Sequence, residues 1–138
     1  MQPRSLRLAC LCALAAAVAC VPALGAQAPY RILLTNDDGV RAPGLTVLAD
    51  ALRPLGEVTI VAPADNQSAR GHALTQGQPI YVDVVTLSNG MTASAVAATP
   101  ATTMQVALAA LMPVKPDLVV SGVNPGWNLG LDRKSTRL

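Results

Sequence analysis

Tyr30-Arg31-Ile32-Leu33-Leu34-Thr35-Asn36-Asp37-Asp38-Gly39-Val40 is an apolar run that stops on two adjacent carboxylates. Such a run, bounded by turn residues, reads as a buried strand, and Asn36 to Gly39 reads as a tight loop at its carboxyl end. In open α/β sheets that edge is where ligands bind. Neighbouring aspartates there repel each other unless something positive lies between them, most simply a hard divalent cation held by oxygen ligands. Asn, Asp and Gly are also good turn formers. Taken alone, these residues leave both a cation site and a plain turn open.

Working outward, Pro43-Gly44 opens a segment in which Leu45, Leu48, Leu52 and Leu55 recur at helical spacing, with Asp50 and Arg53 on the other face. Gly56 closes it, and Glu57 to Ala62 follows as a β-rich run. Strand, helix, strand over this length is a βαβ unit with parallel strands and a right-handed crossover. Pro63 to about Gln78 is then a polar loop at the same sheet edge as the acidic pair, and it is longer than an α/β connection needs. It carries Ser68 and the only histidine, His72. Ile80 to Leu87 and Thr92 to Ala98, joined by Ser88-Asn89-Gly90, read as an antiparallel hairpin, an insertion or an edge of the sheet. Pro100 precedes an Ala-rich helix to Met112 with Met104, Leu108 and Leu111 along one face, the Met being packing rather than a ligand. Asp117 to Ser121 is a further parallel-type strand ending in the Gly- and Asn-rich Gly122 to Gly130. Three strands thus deliver an acidic pair, a Ser-containing loop and an Asn-rich loop to one edge.

Length and composition limit what this edge belongs to. The chain has 138 residues, 51% of them hydrophobic, and a net charge of +2, enough for one globular domain. Arg4 and Arg7, the apolar Leu8 to Val21 and the small residues of Ala23-Leu24-Gly25 form the pattern of a secretory signal peptide over 1–25. This places the remaining domain in the periplasm or outside the cell, with no stable membrane span after cleavage. An uncleaved anchor needs roughly 20 apolar residues, and Pro22 leaves this core short. Ala17-Val18-Ala19-Cys20 is a loose lipoprotein-type box lacking its leucine. All three cysteines, Cys10, Cys12 and Cys20, lie in this segment, so the mature domain has neither a disulfide framework nor a Cys-ligated zinc site. Without Arg4 and Arg7 the basic and acidic residues balance, and aromatics are nearly absent. A nucleic-acid binder with a basic patch or a base-stacking platform is therefore disfavoured.

Adjacent carboxylates, a hydroxyl and an amide carbonyl supply only oxygen ligands, which favours Mg²⁺, Mn²⁺ or Ca²⁺ over zinc. Backbone N–H groups of Gly-rich loops suit an anion beside the cation, and the two together describe phosphoryl chemistry. No Gly-x-Gly-x-x-Gly follows the first strand and no Gly-Lys-Ser or Gly-Lys-Thr occurs, which disfavours the usual dinucleotide fold and removes the P-loop. Haloacid-dehalogenase-type phosphatases space their two aspartates one residue apart, whereas Asp37 and Asp38 are neighbours. A response-regulator receiver needs a phosphate-accepting aspartate at the end of a later strand, where this chain has Ser121.

Three motifs in order carry a closer likeness. Arg31 to Val40 with Ala42-Pro43-Gly44, Val61-Ala62-Pro63 leading into Asn66-Gln67-Ser68-Ala69, and Ser121 to Gly130 resemble the signatures of the SurE family of stationary-phase survival proteins. The likeness covers Tyr30 to Gly130. It implies an α/β fold, a Rossmann-like three-layer sandwich with a mostly parallel sheet, truncated before its C-terminal half. It also implies a divalent-metal-dependent (Mg²⁺ or Mn²⁺) phosphatase of nucleoside monophosphates, with short polyphosphate as a further substrate of some members. By position, Asp37, Asp38, Ser68 and Asn124 would be metal ligands, and Asn36, Gly39 and Asn128 would line the phosphate pocket. Asp37 and Asp38 would be the catalytic pair, with Asp37 the candidate to assist an attacking water. His72 is a candidate proton donor to the leaving alkoxide, against the commoner case of a surface histidine in a polar loop. The full-length protein would be a homo-oligomer.

The chain departs from the family pattern in two places. Around Thr99-Pro100 the family reads Gly-Thr-Pro, then Ala or Thr before an aspartate and a cysteine, where this chain has Ala98 and Thr102-Thr103. Thr102 and Pro100 remain able to start the helix. After Gly130, Leu131 to Leu138 lacks apolar periodicity and looks like translated adaptor sequence, so 26–130 is read as the N-terminal half of the phosphatase domain and 131–138 as a non-native tail of a truncated, inactive fragment. Two other readings are a non-catalytic metal- or nucleotide-binding α/β module and a secreted fragment whose acidic turn is only a turn.

Overall fold

A computed structural model describes residues 28–70 and 72–125. The proposed signal peptide, Asn128 and the 131–138 tail lie outside the described residues.

β1 (Arg31–Thr35) is the inner strand on which the sheet is built. It pairs in parallel with β2 (Glu57–Pro63) on one side, with Leu33 opposite Thr59, and with β5 (Leu118–Ser121) on the other, with Leu33 opposite Val119. Beyond β2 lies β4 (Thr92–Val96), again parallel, and then β3 (Val82–Thr86), antiparallel to β4, giving the order β3-β4-β2-β1-β5. The hairpin read from Asn89-Gly90 is thus the sheet's edge rather than a detached insertion. Its loop closes with Gly90 N–H donating to Leu87 and Leu87 N–H to Met91, and Gly90 has φ +82°. That is the positive φ expected after a type I turn in a three-residue hairpin.

An inner parallel strand is covered on both faces, which is why Ile32, Leu33 and Leu34 form an unbroken apolar run and are all fully buried. Each contributes roughly 1.5–3 kcal/mol relative to exposure. On one face Ile32, Leu34, Ile60, Ala62, Ala93 and Ala95 meet Leu45, Ala49 and Leu52 of α1 (Pro43–Leu52). On the other, Leu33, Val61 and Val96 meet Ala98, Ala107, Met104 and Leu111, contributed by and around α2 (Pro100–Val106). Helix, sheet and helix make the three layers of the expected Rossmann-like α/β sandwich.

Both helices depart from simple periodicity at their ends. Pro54 has no N–H for the next α-type bond, so the chain tightens into a 3₁₀ turn, Arg53–Leu55. The change of period swings Leu55 out to 64% exposure, and Ala49 joins Leu45 and Leu52 in the core instead. After α2 the chain widens into a π turn, Ala107–Leu111, closed by Met112 N–H donating to Ala107. Ala107 takes the buried position, and Leu108, expected on the core face, is 47% exposed.

Candidate active site

All four parallel strands, β1, β2, β4 and β5, end at one edge, and the loops leaving β1, β2 and β5 meet there. The β1 loop is fixed from within. Asn36, 1% exposed, donates through Nδ2 to the Gly39 carbonyl at 3.0 Å and accepts at Oδ1 from Gly39 N–H at 3.2 Å. One Nδ2 hydrogen and the Oδ1 of its amide, together with the Gly39 N–H, are therefore engaged in shaping the loop. That clamp leaves Asp37 and Asp38, flanked by buried Asn36 and Gly39, as the half-exposed side chains of the loop.

The β2 loop is held against the β1 loop by backbone bonds. Val40 N–H donates to Pro63 at 2.7 Å, and Gln67 N–H donates to Asp37 at 2.7 Å. Gly39 permits the contact: at φ +101°, a Cβ there would lie 3.0 Å from the Asp65 carbonyl carbon and 3.2 Å from Asn66 N. Asn66 Oδ1 then accepts from Ser68 N–H at 2.8 Å, and Ser68 Oγ reaches Asp38 Oδ1 at 3.4 Å. Ala69, the next residue, has φ +68°, a left-handed conformation that favours glycine.

The β5 loop delivers Asn124. One end of its amide lies 2.7 Å from Asp37 Oδ1 and 3.2 Å from Asp38 Oδ2. With nitrogen at that end, Asn124 donates to both carboxylates and bridges them. With oxygen there, the carbonyl oxygen would join two carboxylate oxygens as a donor set that a cation would hold together. Asp37, Asp38, Asn124 and Ser68 therefore fit a hard divalent cation by the chemistry of their donors. Among the described residues no three His, Cys, Asp or Glu side chains gather, so a cation here depends on neutral oxygen donors as well as the acidic pair.

The structure thus brings together Asp37, Asp38, Ser68 and Asn124. His72 is exposed on the β2 loop, and among the described residues no hydrogen bond ties it to the acidic pair. The sequence reading missed a threonine cluster beneath that loop. Thr99 stands at the N-cap position of α2 without capping it, and its hydroxyl turns to the Ala73 carbonyl at 2.6 Å. Thr102, expected to help start the helix, instead accepts from Thr75 N–H at 2.9 Å. The signal was present in Thr99-Pro100-Ala101-Thr102-Thr103, but its partner lies 24 or more residues away and becomes visible only once β4 is known to run parallel to β2.

Comparison with known proteins places the chain among relatives of one family. The chain is 50% identical over 101 residues to the 5'-nucleotidase SurE of Pelobacter propionicus, covering 73% of this chain and 39% of that protein. It is 47% identical over 106 residues to the 5'-nucleotidase SurE of Methanothermobacter thermautotrophicus, covering 77% and 40%. The crystal structure of the SurE protein from Aquifex aeolicus superposes with a TM-score of 0.58 at 40% identity, over 74% of this chain and 40% of that one. The chain thus spans about two fifths of the length of these relatives. The sequence model of the family described as Survival protein SurE matches residues 32–135, and with three of its strands delivering the acidic pair, Ser68 and Asn124 to one edge, the chain belongs to the SurE family.

Proposed function

We propose that the protein is a divalent-cation-dependent nucleotidase that hydrolyses nucleoside monophosphates. The observation carrying this reading is the meeting of Asp37, Asp38 and Asn124 within 3.2 Å contacts, with Ser68 against Asp38. The names of relatives about 50% identical over the same region support the substrate class. Asp37, Asp38, Ser68 and Asn124 would hold the cation, Mg²⁺ or Mn²⁺, which would supply neutralisation of phosphoryl charge and a lowered pKa for an attacking water. The buried Asn36–Gly39 clamp keeps the two carboxylates at the loop tip. Asp37 accepts a hydrogen bond from the attacking water and orients it in line with the ester oxygen that leaves. The new bond is water oxygen to phosphorus and the ester P–O bond breaks; of the water's two protons one ends on the leaving oxygen, giving the nucleoside hydroxyl, and the other stays on the phosphate. Residues 1–25 direct the protein out of the cytoplasm, where nucleotides are a source of phosphate.

The test is phosphate release from nucleoside monophosphates by the full-length protein with Mn²⁺, with Mg²⁺, and after chelation. Asp37→Asn and Asp38→Asn should each lower kcat/KM by about 10²-fold or more, the scale of losing one electrostatic group aimed at the reacting centre. Full metal-dependent activity in both variants refutes the site. Binding of Mn²⁺ and nucleotide without phosphate release identifies a binding module instead.

A further inference from the structure

The loop carrying Ser68 has an internal spine that leads away from the site. Asp37 carbonyl accepts from Gln67 N–H at 2.7 Å, Gln67 carbonyl from Arg70 N–H at 3.0 Å, and Arg70 carbonyl from Ala73 N–H at 3.1 Å. Ala73 carbonyl then accepts from the Thr99 hydroxyl at 2.6 Å. Four consecutive hydrogen bonds therefore join the acidic loop to the start of α2. The far end is fastened twice more, by Thr99 N–H donating to Thr75 Oγ1 at 2.9 Å and by Thr75 N–H donating to Thr102 Oγ1 at 2.9 Å.

The proton inventory of this cluster closes. Thr99 Oγ1 has one proton, directed at Ala73, and its lone pairs face Thr75 Oγ1 at 3.4 Å and Thr102 Oγ1 at 3.3 Å. Thr75 and Thr102 each accept from a backbone N–H and have one proton left to donate to Thr99. Thr99 and Thr102 are both buried, so an apolar replacement leaves a donor or acceptor without water to take its place. Ser68, by contrast, is exposed, its hydroxyl makes a long 3.4 Å bond to Asp38 while its N–H donates to Asn66 within the same loop, and it precedes a residue in a left-handed conformation. Its placement follows from where the two ends of its loop are held.

We propose that Thr99, with Thr75 and Thr102, is a positioning group for the candidate metal site, holding the 64–78 loop so that Ser68 stands against Asp38. The proposal rests on the cation-site reading above for its functional consequence and on the loop geometry alone for its structural one. The experiment separates the two. In the full-length protein, Thr99→Val should raise trypsin cleavage after the exposed Arg70 about tenfold and weaken Mn²⁺ binding, measured calorimetrically without substrate, by about tenfold. Thr99→Ser, which restores the hydroxyl, should return both to the wild-type values. Thr102→Val, which strands Thr75 N–H, should shift both in the same direction and serves if Thr99→Val does not fold. Wild-type cleavage at Arg70 in a folded variant overturns the proposal, as does unchanged Mn²⁺ affinity when the wild type binds the ion. If the wild type binds no Mn²⁺, the cation site falls and Arg70 cleavage alone decides whether the threonines hold the loop.

Discussion

Replacing Gly39 with alanine tests whether the site depends on two loops touching through backbone alone. A side chain at φ +101° carries a conformational cost of about 1–2 kcal/mol. Its Cβ would also sit 3.0 Å from the Asp65 carbonyl carbon, 3.2 Å from Asn66 N and 3.3 Å from the Asp65 oxygen. These are main-chain atoms, pinned by the Val40–Pro63 and Gln67–Asp37 bonds, and cannot rotate away as a side-chain tip would. Overpacking of this kind adds about 1–3 kcal/mol, for a total of roughly 2–5 kcal/mol. Gly90 is the internal control, because its φ is also positive, +82°, and nothing lies within 4 Å of a Cβ there. Gly90→Ala should cost only the conformational part, about 1–2 kcal/mol. Urea unfolding of the full-length protein measures both, through the shift in midpoint at constant slope. Equal losses in the two variants would refute the close approach as a determinant of the site.

Asn124→Asp adds a third carboxylate where the amide meets Asp37 and Asp38, so the metal-free protein should melt lower than wild type while saturating Mn²⁺ raises its Tm by more. An unchanged Mn²⁺-induced shift by differential scanning fluorimetry would mean that Asn124 does not face the cation. At the opposite edge of the sheet, Asp117 accepts from Arg31 N–H and from the Arg31 side chain, and Arg31 carbonyl accepts from Asp117 N–H. The backbone bond first, then the side-chain bond and the charge of Arg31, lower the Asp117 pKa below its usual 3.8. A carboxyl whose folded pKa is depressed stabilises above its unfolded value and loses that stabilisation as pH falls through the folded one. Wild type should therefore exceed Asp117→Asn in urea midpoint at neutral pH, with the gap closing as pH falls below the usual aspartate range; a gap constant through that range refutes the assignment.

What was legible in the sequence divides along physical lines. The βαβ unit, the Asn89-Gly90 hairpin and the edge carrying Asp37, Ser68 and Asn124 follow from local patterns, because apolar runs and Gly-rich loops mark strand ends wherever they occur. The helix ends did not follow, since Leu55 and Leu108 obey a 3.6-residue period that the 3₁₀ and π turns break. Asn36 was placed at the phosphate pocket by family resemblance alone, and its second role, a reciprocal bond to Gly39 that clamps the loop, is a three-dimensional feature the motif did not show. The Thr75, Thr99 and Thr102 cluster was invisible for a different reason. Threonine in a polar loop and threonine at a helix start each have an adequate local explanation, and only the parallel pairing of β2 with β4 brings them together.

The four candidate ligands are not equally supported. Asp37, Asp38 and Ser68 stand on loops wedged together by main-chain bonds and by Gly39, above two strands that are paired on both sides. Asn124 stands on the loop of β5, which among the described residues pairs only with β1 and leaves Leu118 and Val119 39% and 44% exposed. Its loop is held by Gly122 N–H donating to Thr35 at 3.0 Å and by a close approach to α1, where a Cβ on Gly44 would lie 3.0 Å from the Val123 carbonyl oxygen. β5 is anchored at its other end by the Arg31–Asp117 bonds, so beyond the main-chain bonds present at both ends the side chains add an ionic tie below and Asn124 above. A cation bridging Asn124 to the acidic pair would therefore also fasten β5 to the sheet. In that arrangement cation binding and completion of the sheet's edge are linked, each favouring the other by the same free energy.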